Sequence, residues 1–124
     1  MELLSILRVS DYSMDGGRLM TALEAKRAAD NFNQDLFKRT LEKATEYLNK
    51  RIEEAAYRGS YDFYIKSDND NLITALGERE TIELFRNSDL QKELKKQFKV
   101  DGFLVNFDKG YENDYLKVSW REPY

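Results

Sequence analysis

Four residues near one helix start have side chains suited to holding an anion. The stretch "MDGGRLMTALEAKR" places paired glycines ahead of Arg18, Thr21, Lys26 and Arg27. A helix N-terminus presents free N–H groups and the positive end of the helix dipole, which favours phosphate binding. Neither GxxxxGK[ST] nor GxGxxG occurs, so no nucleotide fingerprint is present. Two interpretations stay open here: a helix cap with surface charge, or a site for a small anionic ligand.

A second candidate site is the aromatic stretch "AAYRGSYDFYIK" at residues 55–66. Tyr57, Arg58 and Tyr61 combine planar rings with a guanidinium, a set that can stack a base and hold a phosphate. The same composition also suits a core-facing strand next to a helix end. The alternation favours the core for Phe63 and Ile65, and an exposed contact for Tyr64 and Lys66.

Catalysis is disfavoured by two absences from the composition. The chain has no cysteine and no histidine, so it lacks thiol nucleophiles, Cys-based metal sites and the side chain best suited to proton transfer near neutral pH. Adjacent Glu53 and Glu54 point in different directions on a helix. The "DND" at 68–70 lacks the glycine and distal glutamate of a calcium loop. We therefore predict a non-enzymatic protein without metal or cofactor.

Length and charge limit the architecture and the partners. The 124 residues make one domain, predicted as an N-terminal arm and loop at 1–17 and a single domain at 18–124. The net charge of −3 argues against binding duplex nucleic acid. Apolar runs are too short to cross a membrane and the N-terminus lacks signal-peptide features, so a cytoplasmic protein is expected. Residues 1–10 read as a strand or an apolar arm, packed on their own domain or on a neighbouring subunit.

Helical patterns occupy the first half of the chain. Thr21 and Glu24 have the spacing of a capping box, which predicts a helix from Thr21 to about Asp30–Phe32. "DNFN" then offers a break, with Asn33 capping a longer helix at 34–58. The apolar stripe predicted for that helix comprises Phe37, Leu41, Ala44, Leu48, Ile52, Ala55 and Ala56. Gly59 ends the helix as a C′ glycine does.

Strand patterns dominate the second half. Residues 60–66, 101–108 and 114–120 alternate apolar and polar side chains, and "KGYEN" predicts a hairpin between the last two. A short helix is predicted in "ETIELFRN", followed by a helix that Ser88 caps. Trp120, on the last strand, is expected in the core or an interface. The fold class is α+β, with the N-terminal arm, a long amphipathic helix and shorter helices packed on a small antiparallel sheet.

The order of these pieces resembles a widespread group of small phage-encoded proteins. The resemblance covers residues 20–120, through "MTALEA", "IEEAAYRGSYDFYI", "LQKELKKQFKV" and "KVSW". The positions that match the group's pattern are Thr21, Glu24, Gly59, Tyr61 and Trp120. Part of this group is similar to the phage anti-CBASS nucleotide sponges, which form oligomers and sequester cyclic dinucleotide immune signals without cleaving them. The N-terminal 17 residues extend beyond the shared pattern.

The predicted function combines this resemblance with the residues themselves. A homo-oligomer in the host bacterial cytoplasm would sequester a small nucleotide ligand at subunit junctions. Arg18, Lys26 and Arg27 would meet phosphates, while Tyr57 or Tyr61 stacks a base. The alternatives are a protein-binding inhibitor or adaptor of a host protein, a phage structural or assembly component, and, last, a carboxylate-based enzyme.

Overall fold

A computed structural model of the chain describes residues 20–121. The predicted arm and loop at 1–17, and Arg18 of the first candidate site, lie outside the described residues. The described residues divide into two units, 20–34 and 35–121. None of the helices within residues 20–121 has an apolar stretch that could span a bilayer.

The first helix, α1, runs without interruption over Ala22–Tyr57. Its predicted capping box is confirmed: the Thr21 backbone N–H donates to Glu24 Oε1 at 2.9 Å, and the Glu24 N–H donates to Thr21 Oγ1 at 3.1 Å. The predicted break at "DNFN" is wrong. Asn and Asp lower helix propensity by only a fraction of a kilocalorie, about 0.7 kcal/mol at most, and the stretch contains no Gly or Pro to force an end.

One side of α1 is buried from residue 36 onward. Its buried positions are Leu36, Thr40, Ala44, Leu48 and Ala55. The predicted stripe is therefore confirmed at Ala44, Leu48 and Ala55, whereas Phe37, Leu41 and Ile52 are half-buried at its edge and Ala56 is exposed. The helix ends at Tyr57, and the predicted C′ glycine is confirmed: Gly59 has a φ of 82°, in the left-handed region that glycine adopts without strain.

Three shorter helices follow the first strand. They are α2 (Asp70–Leu76), α3 (Glu78–Arg86) and α4 (Ser88–Val100), and α3 confirms the helix predicted in "ETIELFRN". The predicted cap at Ser88 is wrong by one residue, since Asn87 Oδ1 accepts from the Asp89 and Leu90 N–H groups at 3.0 Å each. An Asn side chain caps as well as Ser, and here it comes first.

The strands form one antiparallel sheet in the order β1-β3-β2. They are β1 (Asp62–Lys66), β2 (Leu104–Lys109) and β3 (Asp114–Ser119), and the predicted β2–β3 hairpin is confirmed. Phe63, Ile65, Val105, Leu116 and Val118 face the helices and join the core with residues of all four. The α+β prediction is therefore confirmed. The sheet order places the start of β1 beside the end of β3, where Asp62 pairs with Ser119.

Candidate functional site

Two of the residues predicted to form a site at the start of α1, Thr21 and Lys26, contact neighbours on the same helix. Thr21 serves the capping box, and Lys26 Nζ lies 2.7 Å from Asp30 Oδ2 in an exposed i,i+4 ion pair. Arg27 is exposed. Exposed pairs of this kind contribute little to stability, so Lys26 can exchange Asp30 for another anion at small cost. An anion site at this helix start stays a prediction.

The second predicted set lies in the segment that joins α1 to β1. Tyr57 is the last residue of α1, and Arg58, Gly59 and Ser60 make the turn into β1. The Trp120 N–H donates to the Tyr61 carbonyl at 2.9 Å, which ties the end of β3 to the start of β1. Next to Trp120, the Arg121 guanidinium lies 4.9 Å from the centre of the Tyr61 ring. We call Tyr57, Arg58, Tyr61 and Arg121 the tyrosine–arginine cluster.

Both rings and both cations of this cluster are open to solvent. Tyr57 is 85% exposed and Tyr61 is 53% exposed, and Arg58 and Arg121 are exposed as well. Within residues 20–121, neither arginine forms an ion pair. The cluster therefore offers two guanidinium groups that form no ion pair with a described carboxylate, and two exposed aromatic rings, of which Tyr61 has Arg121 over one face. Arg121 is a member that the sequence did not single out, because its contact with Tyr61 spans 60 residues.

A packed row of rings supports the cluster from behind. Trp120 is half-buried, with its ring 6.0 Å from the rings of both Phe63 and Phe103 in edge-to-face geometry. Arg51, from α1, covers Phe63 at 5.1 Å and donates to the Tyr47 hydroxyl at 3.1 Å. Trp120 thus has a packing role, one of the two that were predicted for it. Such interlocked rings hold the β1 and β3 ends in place.

The exposed face of the sheet carries the other predicted contact residues. Tyr64 is 58% exposed and pairs in register with Lys117, whose Nζ lies 5.2 Å from the centre of the Tyr64 ring. Lys66 is exposed on the same face. By contrast Phe63 and Ile65 are buried, so the predicted division of β1 into two faces is confirmed.

A lysine-lined groove between α4 and β2 was not predicted. Its volume is about 650 Å³, within the size range of ligand sites. The residues that line it, the lysine groove, are Lys92, Lys95, Lys96, Lys99, Val100, Phe103, Leu104, Val105 and Asn106. The lysines recur at helical spacing in "KELKKQFK", a signal visible in the sequence. What the sequence did not show is which element faces them.

The strongest electrostatic contact of the described residues is structural. Arg39 Nε on α1 lies 2.6 Å from Glu80 Oε2 on α3. The hydrogen bond from Arg39 lowers the pKa of Glu80, and the same bond raises the pKa of Arg39. A carboxylate held ionised in this way joins two helices and is poorly placed to exchange protons near neutral pH. In residues 20–121 no group of three or more acidic side chains could hold a metal ion.

The two predicted sets belong to different units. The tyrosine–arginine cluster is the one that includes residues from distant segments of the chain, since Tyr61 contacts Arg121. No family model, curated protein or solved structure matches this chain.

Proposed function

We propose that the protein binds a nucleotide at the tyrosine–arginine cluster and holds it without chemical conversion. The observation that supports this proposal is the Arg121 guanidinium 4.9 Å from the centre of the Tyr61 ring. Tyr57 and Arg58, in the segment that leads into β1, are exposed as well. Guanidinium groups bind phosphate through paired N–H donors, and aromatic rings stack bases. A ligand that carries both a base and a phosphate matches both halves of the cluster.

Retention without turnover is consistent with the chemistry of the chain. Arginine stays protonated at any physiological pH, so Arg58 and Arg121 supply charge but no proton transfer. The sequence contains no histidine or cysteine to supply it instead. Binding of this kind is what the resemblance to phage anti-CBASS sponges implies, and a cyclic dinucleotide is the ligand to test first.

The proposal includes assembly into a homo-oligomer. An open cluster contacts one side of a stacked base and leaves the other side in water. A second copy that brings its own rings and arginines to the opposite side would exclude that water and bury the ligand's charge between cations. Sequestration at subunit junctions follows from this arrangement, and light scattering with and without ligand measures the assembly.

Titration calorimetry against a panel of cyclic dinucleotides and mononucleotides tests the proposal. We expect saturable heat with at least one of them, and chromatography of the heat-denatured complex should recover the ligand intact. The paired substitution Arg58→Ala with Arg121→Ala should weaken binding at least about tenfold, since each guanidinium–phosphate hydrogen bond contributes about 1.5–3 kcal/mol. The matched control replaces Arg86 and Lys109, two exposed cations elsewhere in the fold, with Ala.

Three results would contradict the proposal. Absence of heat with every nucleotide, equal affinity of the cluster variant and the control, or recovery of a cleaved ligand would each do so. The residues at the start of α1 are tested by the paired substitution Arg18→Ala with Arg27→Ala. If that variant loses nucleotide binding while the Arg58 and Arg121 variant keeps it, the phosphates are bound at the start of α1 instead.

A further inference from the structure

We propose that the lysine groove binds an acidic, extended peptide segment of a partner protein, which adds as a strand to the free edge of β2. This site is separate from the tyrosine–arginine cluster and does not depend on the nucleotide proposal. Two independent features of the groove support it: the path it follows along the strand, and the charge of its helical wall.

The groove follows the edge of the sheet. In the order β1-β3-β2, β2 has a neighbouring strand on one side only within the described part of the chain. Four consecutive residues, Phe103–Asn106, line the groove. The last three of these residues belong to β2. Successive side chains of a strand point to opposite faces, so a groove lined by three in a row lies beside the edge rather than over one face. That edge carries backbone N–H and C=O groups that β3 does not use, the template on which a peptide adds as a strand.

The opposite wall of the groove is cationic over its whole length. Lys92, Lys95, Lys96 and Lys99 line it, and no acidic side chain does. None of these four lysines forms an ion pair within residues 20–121. In a chain whose net charge is −3, this concentration of unneutralised positive charge is a local feature that selects an anionic partner.

The spacing of the charges matches an extended chain. Lys99 lies seven helical steps after Lys92, which advance by about 10 Å along the axis of α4. Side chains on one face of an extended peptide recur about every 6.7 Å. Two acidic residues at positions i and i+2 of a bound strand therefore lie within the span of the four lysines. Their alternating apolar neighbours point to the other face of the sheet, where they would cover Leu104, which is 36% exposed.

A peptide fits these features better than a small phosphate ligand does. Phosphate sites bring donors to one point, through a glycine-rich loop, a helix N-terminus or a bidentate Arg. The groove has none of these, because its cations are lysines spread along the side of α4. A row of separated charges facing a strand edge is the arrangement that an acidic strand requires.

Binding of fluorescent nine-residue peptides to the full chain tests the proposal. The first peptide alternates Glu with Val, and a second alternates Glu with Pro. Both carry the same charge, but proline lacks the N–H that strand addition needs. We expect the Glu-Val peptide to bind. The Glu-Pro peptide should bind at least about tenfold more weakly, because it loses main-chain hydrogen bonds to β2.

Protein variants locate the site. Lys95→Glu with Lys99→Glu should weaken Glu-Val binding at least about tenfold through like-charge repulsion. The control, Lys38→Glu with Lys50→Glu, makes the same change in net charge at exposed positions of α1 and should alter affinity less than about threefold. Hydrogen exchange of the unmodified protein is a readout that does not depend on variants. Alternate amides of β2 should exchange more slowly in the complex.

Two outcomes with the unmodified protein and the peptides would overturn the proposal: no binding of the Glu-Val peptide at about 1 mM, or equal binding of the two peptides. It would also be overturned if hydrogen exchange of the β2 amides were the same with and without peptide, or if the Lys95 and Lys99 variant bound the Glu-Val peptide as tightly as the Lys38 and Lys50 control. Displacement of the bound peptide by a cyclic dinucleotide would also overturn it, because the groove would then be a nucleotide site. Loss of nucleotide binding in the Arg58 and Arg121 variant leaves the peptide result unaffected, so the two proposals fail separately.

Discussion

Gly77 joins α2 to α3, and its replacement by alanine tests how the α1–α3 ion pair is held. Its φ of 105° and ψ of 153° lie in a region that is nearly restricted to glycine. A Cβ atom at this position would collide with Glu80 Oε1. The Glu80 side chain can move away, but its other oxygen accepts a hydrogen bond from Arg39 Nε at 2.6 Å. The substitution therefore strains the backbone and disturbs the ion pair together.

The two contributions have separable magnitudes. A non-glycine residue in this backbone region costs about 1–3 kcal/mol of unfolding free energy. Neighbouring residues in one contact network couple by about 0.5–3 kcal/mol. We expect Gly77→Ala to destabilise the protein by the sum of the two. In a Glu80→Ala background the collision is absent, so the same substitution should cost the backbone contribution alone.

Urea unfolding of the four proteins in this cycle, at neutral pH, measures both contributions. Gly59→Ala serves as a control, because Gly59 also has a positive φ of 82° but a Cβ there meets nothing within 4 Å. It should cost about 1–2 kcal/mol whether or not Glu80 is present. If Gly77→Ala costs the same in both backgrounds, the carboxylate does not pack over Gly77 and the reasoning is refuted.

Two further predictions concern pH and the helix start. Because Arg39 lowers the pKa of Glu80 from its ordinary 4.5, the unfolded chain takes up this proton at a higher pH than the folded chain. The stabilisation that the Arg39–Glu80 ion pair gives to the folded state is complete above the ordinary pKa of Glu80. It is lost as the pH falls through the lowered pKa that Glu80 has in the folded state. Urea midpoints between about pH 6 and 3 should therefore fall more steeply for the wild type than for Glu80→Gln, and parallel curves would contradict this. Thr21→Ala removes a cap worth about 0.5–2 kcal/mol, so first-turn amides of α1 should exchange faster in NMR, and unchanged rates would count against the capping box.

Local features of the fold were predictable from the sequence because their causes lie within a few residues. The Thr21–Glu24 capping box needs only a spacing of three and a helical continuation. Gly59 ends α1 because glycine alone adopts its φ of 82° without strain. Alternation in β1 assigned Phe63 and Ile65 to the core, since the period of a strand is two. The hairpin of β2 and β3 followed from their short connection.

Features decided by small energy differences were predicted wrongly. Asp30, Asn31 and Asn33 read as a break, yet α1 continues through them, because weak propensities are outweighed by the helical preference of their neighbours. The cap of α4 fell on Asn87 rather than Ser88 for a similar reason: both residue types cap well, and their order in the chain decides.

Only the tertiary structure decided the two candidate sites. Tyr61 and Arg121 meet because β3 lies next to β1. The paired residues of these strands are 49 to 57 positions apart in the sequence, and such distant pairing leaves no pattern in either segment. The sequence did contain the four lysines of α4 at helical spacing. The position of α4 against β2 determined that these lysines lie along the edge of a strand rather than in open solvent or against a carboxylate. Residue types and periods determined which elements form, while burial of one shared core determined which of their surfaces face each other.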